Sequence, residues 1–215
     1  MNPPINALSD DAKVLPDLLG EVIKEQEGSA VFDSVELLRQ GFIGQRLQPD
    51  ATQKTKLLAA IDTLDFESLD RVIHAFSTFF HLANISEEHA NQQARAEIEE
   101  SGQTWRNSFA DTISGFKQRG MSLEAVLELV SDLNYYPTFT AHPTEAKRPI
   151  VLEALQRIHA QYQLLTHKTV SDSELSEIKH KLKAMIQIFW KTEAVRPAKP
   201  TVYDEIENSL YYFRE

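Results

Sequence analysis

Ser68-Leu-Asp-Arg-Val-Ile-His-Ala-Phe-Ser-Thr-Phe-Phe-His-Leu-Ala-Asn84 sets the architecture of this chain. Leu69, Val72, Ile73, Phe76, Phe79, Phe80 and Ala83 recur at the spacing that gathers apolar side chains on one broad face of an α-helix. A face that wide predicts a deeply buried core helix. Upstream, Leu15, Leu18, Leu19, Val22 and Ile23 form another such stripe, which Gly28 interrupts. A helix from Asp33 to about Gln40 is expected next, with Gly41 and Gly44 breaking the pattern. Asp50 then opens a helix carrying Leu57, Leu58 and Ile61. Residues 86–101 hold few apolar groups and read as an exposed helix or a connection, with Gly102 as the break.

Helical spacing continues beyond that break. Helices are expected from Thr104 to about Arg119 and from Ser122 to about Leu133, separated by Gly120. Another runs from Pro149 to about Thr166. Ser171-Asp-Ser-Glu174 marks the best helix start in the chain, because serine and a glutamate three residues later satisfy each other's backbone donors. That helix is expected to reach about Val195. Pro197 and Pro200 punctuate the next link, and Thr201 can cap a last helix. The fold class is therefore mainly α, without internal repeats or low-complexity tracts.

One segment departs from this pattern. In Pro137-Thr-Phe-Thr-Ala-His-Pro-Thr-Glu145, Thr138, Phe139 and Thr140 are strand formers, and Pro137 and Pro143 leave room only for a short extended piece near 138–142. Pro143 steers His142 away from helical dihedrals, and Thr144 can cap a helix beyond it. Helix N-termini attract anions, and Lys147 and Arg148 add positive charge, so the expected ligand is negatively charged. An imidazole at such a junction suits proton exchange, whereas a lone histidine is ordinarily a hydrogen-bonded structural residue.

Composition limits the other possibilities. The 215 residues are 42% hydrophobic, enough for one large domain or two small ones built on an ordinary core. Asp and Glu outnumber Lys and Arg by 32 to 22, a net charge of -10 that argues against nucleic acid and anionic membranes as partners. With 0 cysteines, disulfides and thiolate chemistry are excluded, and a cytoplasmic location is the expectation. No signal core or membrane-length apolar run is present. The 7 histidines include no HExxH-like pair, so no residue is assigned to a metal or a cofactor. His74 and His81 can share a helix face in a structural or surface role. Phe76, Phe79 and Phe80 read as core. Arg196 and Lys199 can bind a phosphate or pair with Asp204 and Glu205, and pairing is the commoner outcome.

The run Thr140-Ala-His-Pro-Thr-Glu145, with a basic residue at 148, resembles the first active-site signature of phosphoenolpyruvate carboxylases. Three further segments resemble that family in the same order: Leu19 to Lys24, Ala75 to Asn84, and Trp190 to Arg196 continuing through Lys199, Pro200 and Thr201 to Asp204 and Glu205. The likeness spans nearly the whole chain. Pro149 and Ile150 depart from the arginine and hydroxyl residue usual there, and Glu193-Ala194 departs from the usual aspartate-glutamate pair, which suggests a divergent branch.

The resemblance implies carboxylation of phosphoenolpyruvate by bicarbonate to oxaloacetate and phosphate, an anaplerotic lyase reaction, with His142 as the catalytic, proton-handling residue. It also implies Mg2+ or Mn2+, with ligands outside this chain, and a homotetramer of the full-length protein. Family members are several times longer, so the chain reads as an amino-terminal portion whose partner is the remainder of the same polypeptide. Residues 1–134 would form a helical region. Residues 135–215 would begin an incomplete domain that opens, as in the family, an α/β barrel decorated with helices. Such a piece, inactive alone, would leave apolar faces uncovered and self-associate. Two other readings stand beside it: a noncatalytic helical interaction or regulatory module derived from that family, and a phosphohistidine module. Phosphoacceptor histidines sit inside helices, where Pro143 does not belong.

Overall fold

The computed structural model describes residues 10–134, 136, 148–166, 170–192 and 201–211. These form helices α1 (Asp10–Glu27), α2 (Ser29–Leu47), α3 (Ala51–Asp62), α4 (Phe66–Glu100), α5 (Phe109–Gln118), α6 (Leu123–Ser131), α7 (Pro149–Gln163), α8 (Asp172–Trp190) and α9 (Val202–Tyr211), with one 3-10 turn, Leu164–Thr166, after α7. The mainly α expectation holds: no strand occurs among the described residues. The short strand expected near 138–142 lies outside them.

The chain divides into two compact units, Met1–Glu88 with Lys147–Pro197, and His89–Ala146 with Ala198–Glu215. In the first, α8 packs against α1 and α7, α1 against α2, and α2 against α3. Its core joins the predicted α1 stripe of Leu15, Leu18, Leu19, Val22 and Ile23 to Ala75, Leu82 and Ile85 of α4, Val151, Ile158 and Tyr162 of α7, and Ile178, Leu182 and Ile186 of α8. A satellite cluster of Leu38, Leu57 and Val72 ties α2, α3 and α4. Burying each Val, Leu or Ile among these contributes on the order of 1.5–3 kcal/mol against the entropy of ordering the chain.

Local boundaries reflect local chemistry. Gly28 takes a φ of 86°, a conformation that suits glycine, and so separates α1 from α2. The Asp50 carboxylate accepts from the backbone N–H groups of Thr52 and Gln53 and starts α3. Ser171 and Glu174 form the predicted reciprocal cap of α8. That exchange holds the Glu174 carboxyl below its usual range, first through the Ser171 backbone N–H and then through its hydroxyl.

Four expectations are corrected. The helix placed at 33–40 extends from Ser29 to Leu47, straight through Gly41 and Gly44. A Cβ at Gly41 would overlap the buried Leu57 side chain, so this glycine permits close approach of α3 rather than ending α2. The core stripe of α4 is narrower than its apolar face: Ala75, Leu82 and Ile85 are buried, while Ile73 and Phe80 are 60% and 57% exposed. The helix placed at 104–119 begins only at Phe109, because Asn107 adopts a φ of 65° and the Ser108 hydroxyl caps Asp111. Helix α8 stops at Trp190 instead of continuing to about Val195, and its last carbonyl is held by the side chain of His74.

In the second unit, the end of α4 and the helices α5, α6 and α9 carry sound local signals but little burial. Gly102 and Gly120 both take φ near 75°. Behind each, a paired backbone bond closes the helix, Gln103 N–H to Ile98 and Met121 N–H to Phe116. Ser108 and Ser122 cap α5 and α6 with their hydroxyls. No residue of either helix is buried.

Candidate functional site

His142 and its neighbours from 137 to 147 lie outside the described residues, as do Arg196, Lys199 and the 193–200 link. Two junctions of the first unit adjoin these segments in the chain. The first is the start of α7. Arg148 is its N-cap in an extended conformation, φ -72° and ψ 145°, and Pro149 occupies the first helical position, where its missing N–H is not needed. The Arg148 carbonyl accepts from the Val151 and Leu152 N–H groups at 2.9 and 3.4 Å. The Arg148 side chain makes no capping hydrogen bond to this helix. Val151 and Ile158 are 0% exposed and Tyr162 1%, so α7 is fixed to the core two residues after Pro149.

The second junction is the end of α8. The Trp190 carbonyl would be an orphan acceptor at a helix C-terminus, and His74 of α4 supplies its partner: Nε2 lies 2.9 Å from that oxygen. A carbonyl only accepts, so His74 donates through Nε2–H. The two rings also meet with centroids 4.3 Å apart. The Trp190 indole N–H donates to Glu27 Oε1 at 2.9 Å, and the other Glu27 oxygen pairs with Arg71 Nε at 3.3 Å. Farther along α4, His81 sets its ring edge toward Phe189, with centroids 6.0 Å apart. His74 and His81 therefore share a face, in the structural role expected for them. Sequence reading did not find Glu27, Arg71 or the indole bond, because the three positions are brought together only by packing. The one available hint was that Trp190 opens a family-like segment.

Elsewhere in the first unit, a cleft of about 650 Å3 lies between α1, α2 and α4, lined by Ile23, Phe32, Phe76 and Phe79 with Glu36 and Arg39. Arg39 grips Glu36 through two bonds of 2.8 and 2.7 Å. These bonds lower the Glu36 carboxyl against the opposing effect of burial, and raise Arg39. No histidine lines the cleft. No group of acidic or histidine side chains able to hold a metal occurs among the described residues, so the groups present do not fit a divalent ion. Asp204, a candidate partner for the basic link, accepts from the Thr201 N–H and hydroxyl, both at 2.7 Å, and completes the predicted cap of α9.

A mainly helical chain that carries Thr140-Ala-His-Pro-Thr-Glu145 between two of its helices matches one known class in comparisons with other proteins. The family model described as phosphoenolpyruvate carboxylase matches residues 8–215. Proteins named phosphoenolpyruvate carboxylase are similar to this chain in Rhodopseudomonas palustris, at 31% identity over 207 residues, and in Burkholderia mallei, at 35% over 209. A third, from Paraburkholderia xenovorans, is 34% identical over 211 residues. Each alignment covers 96% of this chain but only 21–22% of the relative. The chain belongs to the phosphoenolpyruvate carboxylase family, and it spans about a fifth of the length of these relatives.

Proposed function

We propose that this chain is the amino-terminal part of a phosphoenolpyruvate carboxylase, that residues 135–215 begin its barrel domain after a helical region of 1–134, and that His142 is its proton-handling residue. The observation that carries this reading is the family match over 8–215, which includes Thr140-Ala-His-Pro-Thr-Glu145 intact. In the proposed reaction the phosphoryl group of phosphoenolpyruvate passes to bicarbonate, leaving an enolate and carboxyphosphate. His142 takes the carboxyphosphate proton as carbon dioxide separates from phosphate, and the enolate carbon attacks that carbon dioxide to give oxaloacetate. Imidazole suits the step because an unperturbed pKa of about 6.5 allows it to accept and release a proton near neutrality.

A divalent Mg2+ or Mn2+ would supply charge stabilisation for the anions, from ligands outside this chain. The 215 residues alone would be inactive, and the working protein would be a cytoplasmic homotetramer. His142→Asn in the full-length polypeptide should abolish oxaloacetate formation while circular dichroism stays unchanged; carboxylation near the parent rate would overturn the assignment. The second reading, a noncatalytic helical interaction or regulatory module derived from that family, draws support from the helix-rich architecture. A stop codon directly after Glu215, with no adjacent frame supplying glycine-rich catalytic loops, would favour it.

A further inference from the structure

We propose that the cleft between α1, α2 and α4 is a binding site for a small aromatic carboxylate, whose ring system lies among three phenylalanines and whose anionic end meets Lys24. The inference goes beyond the carboxylase reading and does not depend on His142. At about 650 Å3 the cleft has the size of a small-molecule site, and it lies wholly within the first unit. It opens where two cores stay apart: Leu19, Ile23 and Ala75 belong to the main core, Phe76 packs on the satellite cluster, and Val35 touches both. Gly20 shapes its wall. A Cβ there would stand 3.2 Å from Phe32 Cε2, so the glycine lets that ring lie close against α1.

Two features set the chemistry of the ligand. Phe32, Phe76 and Phe79 all line the cleft, yet among the described residues no two of them pair with each other; the ring contact of Phe79 is with Phe80, edge-on with centroids 5.7 Å apart. Each keeps aromatic surface for a guest, and a flat ring system makes offset and edge contacts that an aliphatic chain does not. The charges at the rim are unequally engaged. Glu36 is held by Arg39, and Glu21 by Lys183. Asp17 stands two turns back along α1 from Lys24. Lys24 sets its ammonium 5.7 Å from the centre of the Phe32 ring and makes no ion pair among the described residues. Its charge is open to an anion at the edge of the aromatic slot.

The test titrates 2-naphthoate into the full-length polypeptide by calorimetry and follows thermal melting in parallel, with neutral 2-naphthylmethanol and cationic 2-naphthylmethylamine as controls. Naphthoate should bind saturably with a Kd on the order of 100 μM and raise the melting temperature at millimolar concentration. The alcohol should bind about three- to fivefold more weakly, and the amine more weakly still. Lys24→Met, which keeps an apolar stem on Phe32, should cost naphthoate the same factor of about three to five and leave the alcohol unchanged. Ala83→Phe sets a ring into the cleft and should abolish binding of both; if that variant does not melt cooperatively, Lys24→Met with the same probes decides. No saturable binding, alcohol or amine affinity equal to that of naphthoate, or naphthoate affinity unchanged by Lys24→Met or by a folded Ala83→Phe would overturn the proposal. A parent without carboxylase activity that still binds naphthoate in this way would remove the catalytic reading and leave this one standing.

Discussion

Helix α8 of the first unit and helix α6 of the second begin in the same way and end in different surroundings. Ser171 and Ser122 each cap with a hydroxyl, and each is followed by an acidic first turn. Yet α8 buries Ile178, Leu182, Ile186, Phe189 and Trp190, whereas α6, richer in apolar residues for its length, leaves Leu123, Leu127, Leu129 and Val130 at 69%, 59%, 44% and 43% exposure. Capping and periodicity make a helix; only a facing surface makes it core. The apolar face of α6 is left exposed among the described residues.

The contrast is sharpest under truncation of leucine. Leu182→Ala should destabilise the chain by about 2–5 kcal/mol in urea unfolding, while Leu127→Ala should stay within about 0.5 kcal/mol. Equal losses would break the distinction between the units. The same face predicts association: the isolated chain should sediment as oligomers, and Leu127→Glu should shift it toward monomer without loss of helical circular dichroism. A clean monomer before the substitution would contradict the expected stickiness.

Capping substitutions should ignore the difference between the units. Ser108→Ala and Ser171→Ala should each cost about 1 kcal/mol, since the bond lost is local in both. The smallest effect concerns pH. Lys183 of α8 bridges Glu21 and Glu25 of α1 at 2.7 and 2.8 Å, and these carboxylates raise its pKa above 10.5. A raised folded pKa means that its contribution is complete below 10.5 and is lost as pH climbs through the folded value. Glu174 in the first unit and Glu124 in the second are lowered from 4.5, chiefly by backbone N–H groups. Their contributions are present above that value and fade as pH falls through the folded ones. Alkaline titration should therefore loosen the α1–α8 contact while acid weakens caps in both units. Lys183→Met should flatten the alkaline response, and salt should shrink it, since the pair is open to solvent.

Much of the helical layout was legible because capping boxes, Asp50, Gly28, Gly102 and Gly120 act over one turn. Most of the errors arose where a residue answered to a distant one, although the late start of α5 came from the local turn at Asn107. Gly41 looked like a stop because its role depends on Leu57 of the next helix. Phe80 looked like core because periodicity gives the direction of a face but not the width that neighbours cover. The Trp190 anchor was invisible because Glu27, Arg71 and His74 converge only after α1, α4 and α8 have packed.

By itself the sequence determined a mainly helical chain, the caps at Asp50, Ser122 and Ser171, the breaks at Gly28, Gly102 and Gly120, and the family to which the run around His142 belongs, since each depends on neighbouring residues or on a contiguous motif. Tertiary structure alone decided which apolar stripe became interior, why α2 carries Gly41 where α3 comes close, and how the end of α8 is held. Burial and side-chain bonding depend on groups far apart in the chain, and no local spacing encodes the surface that will meet them.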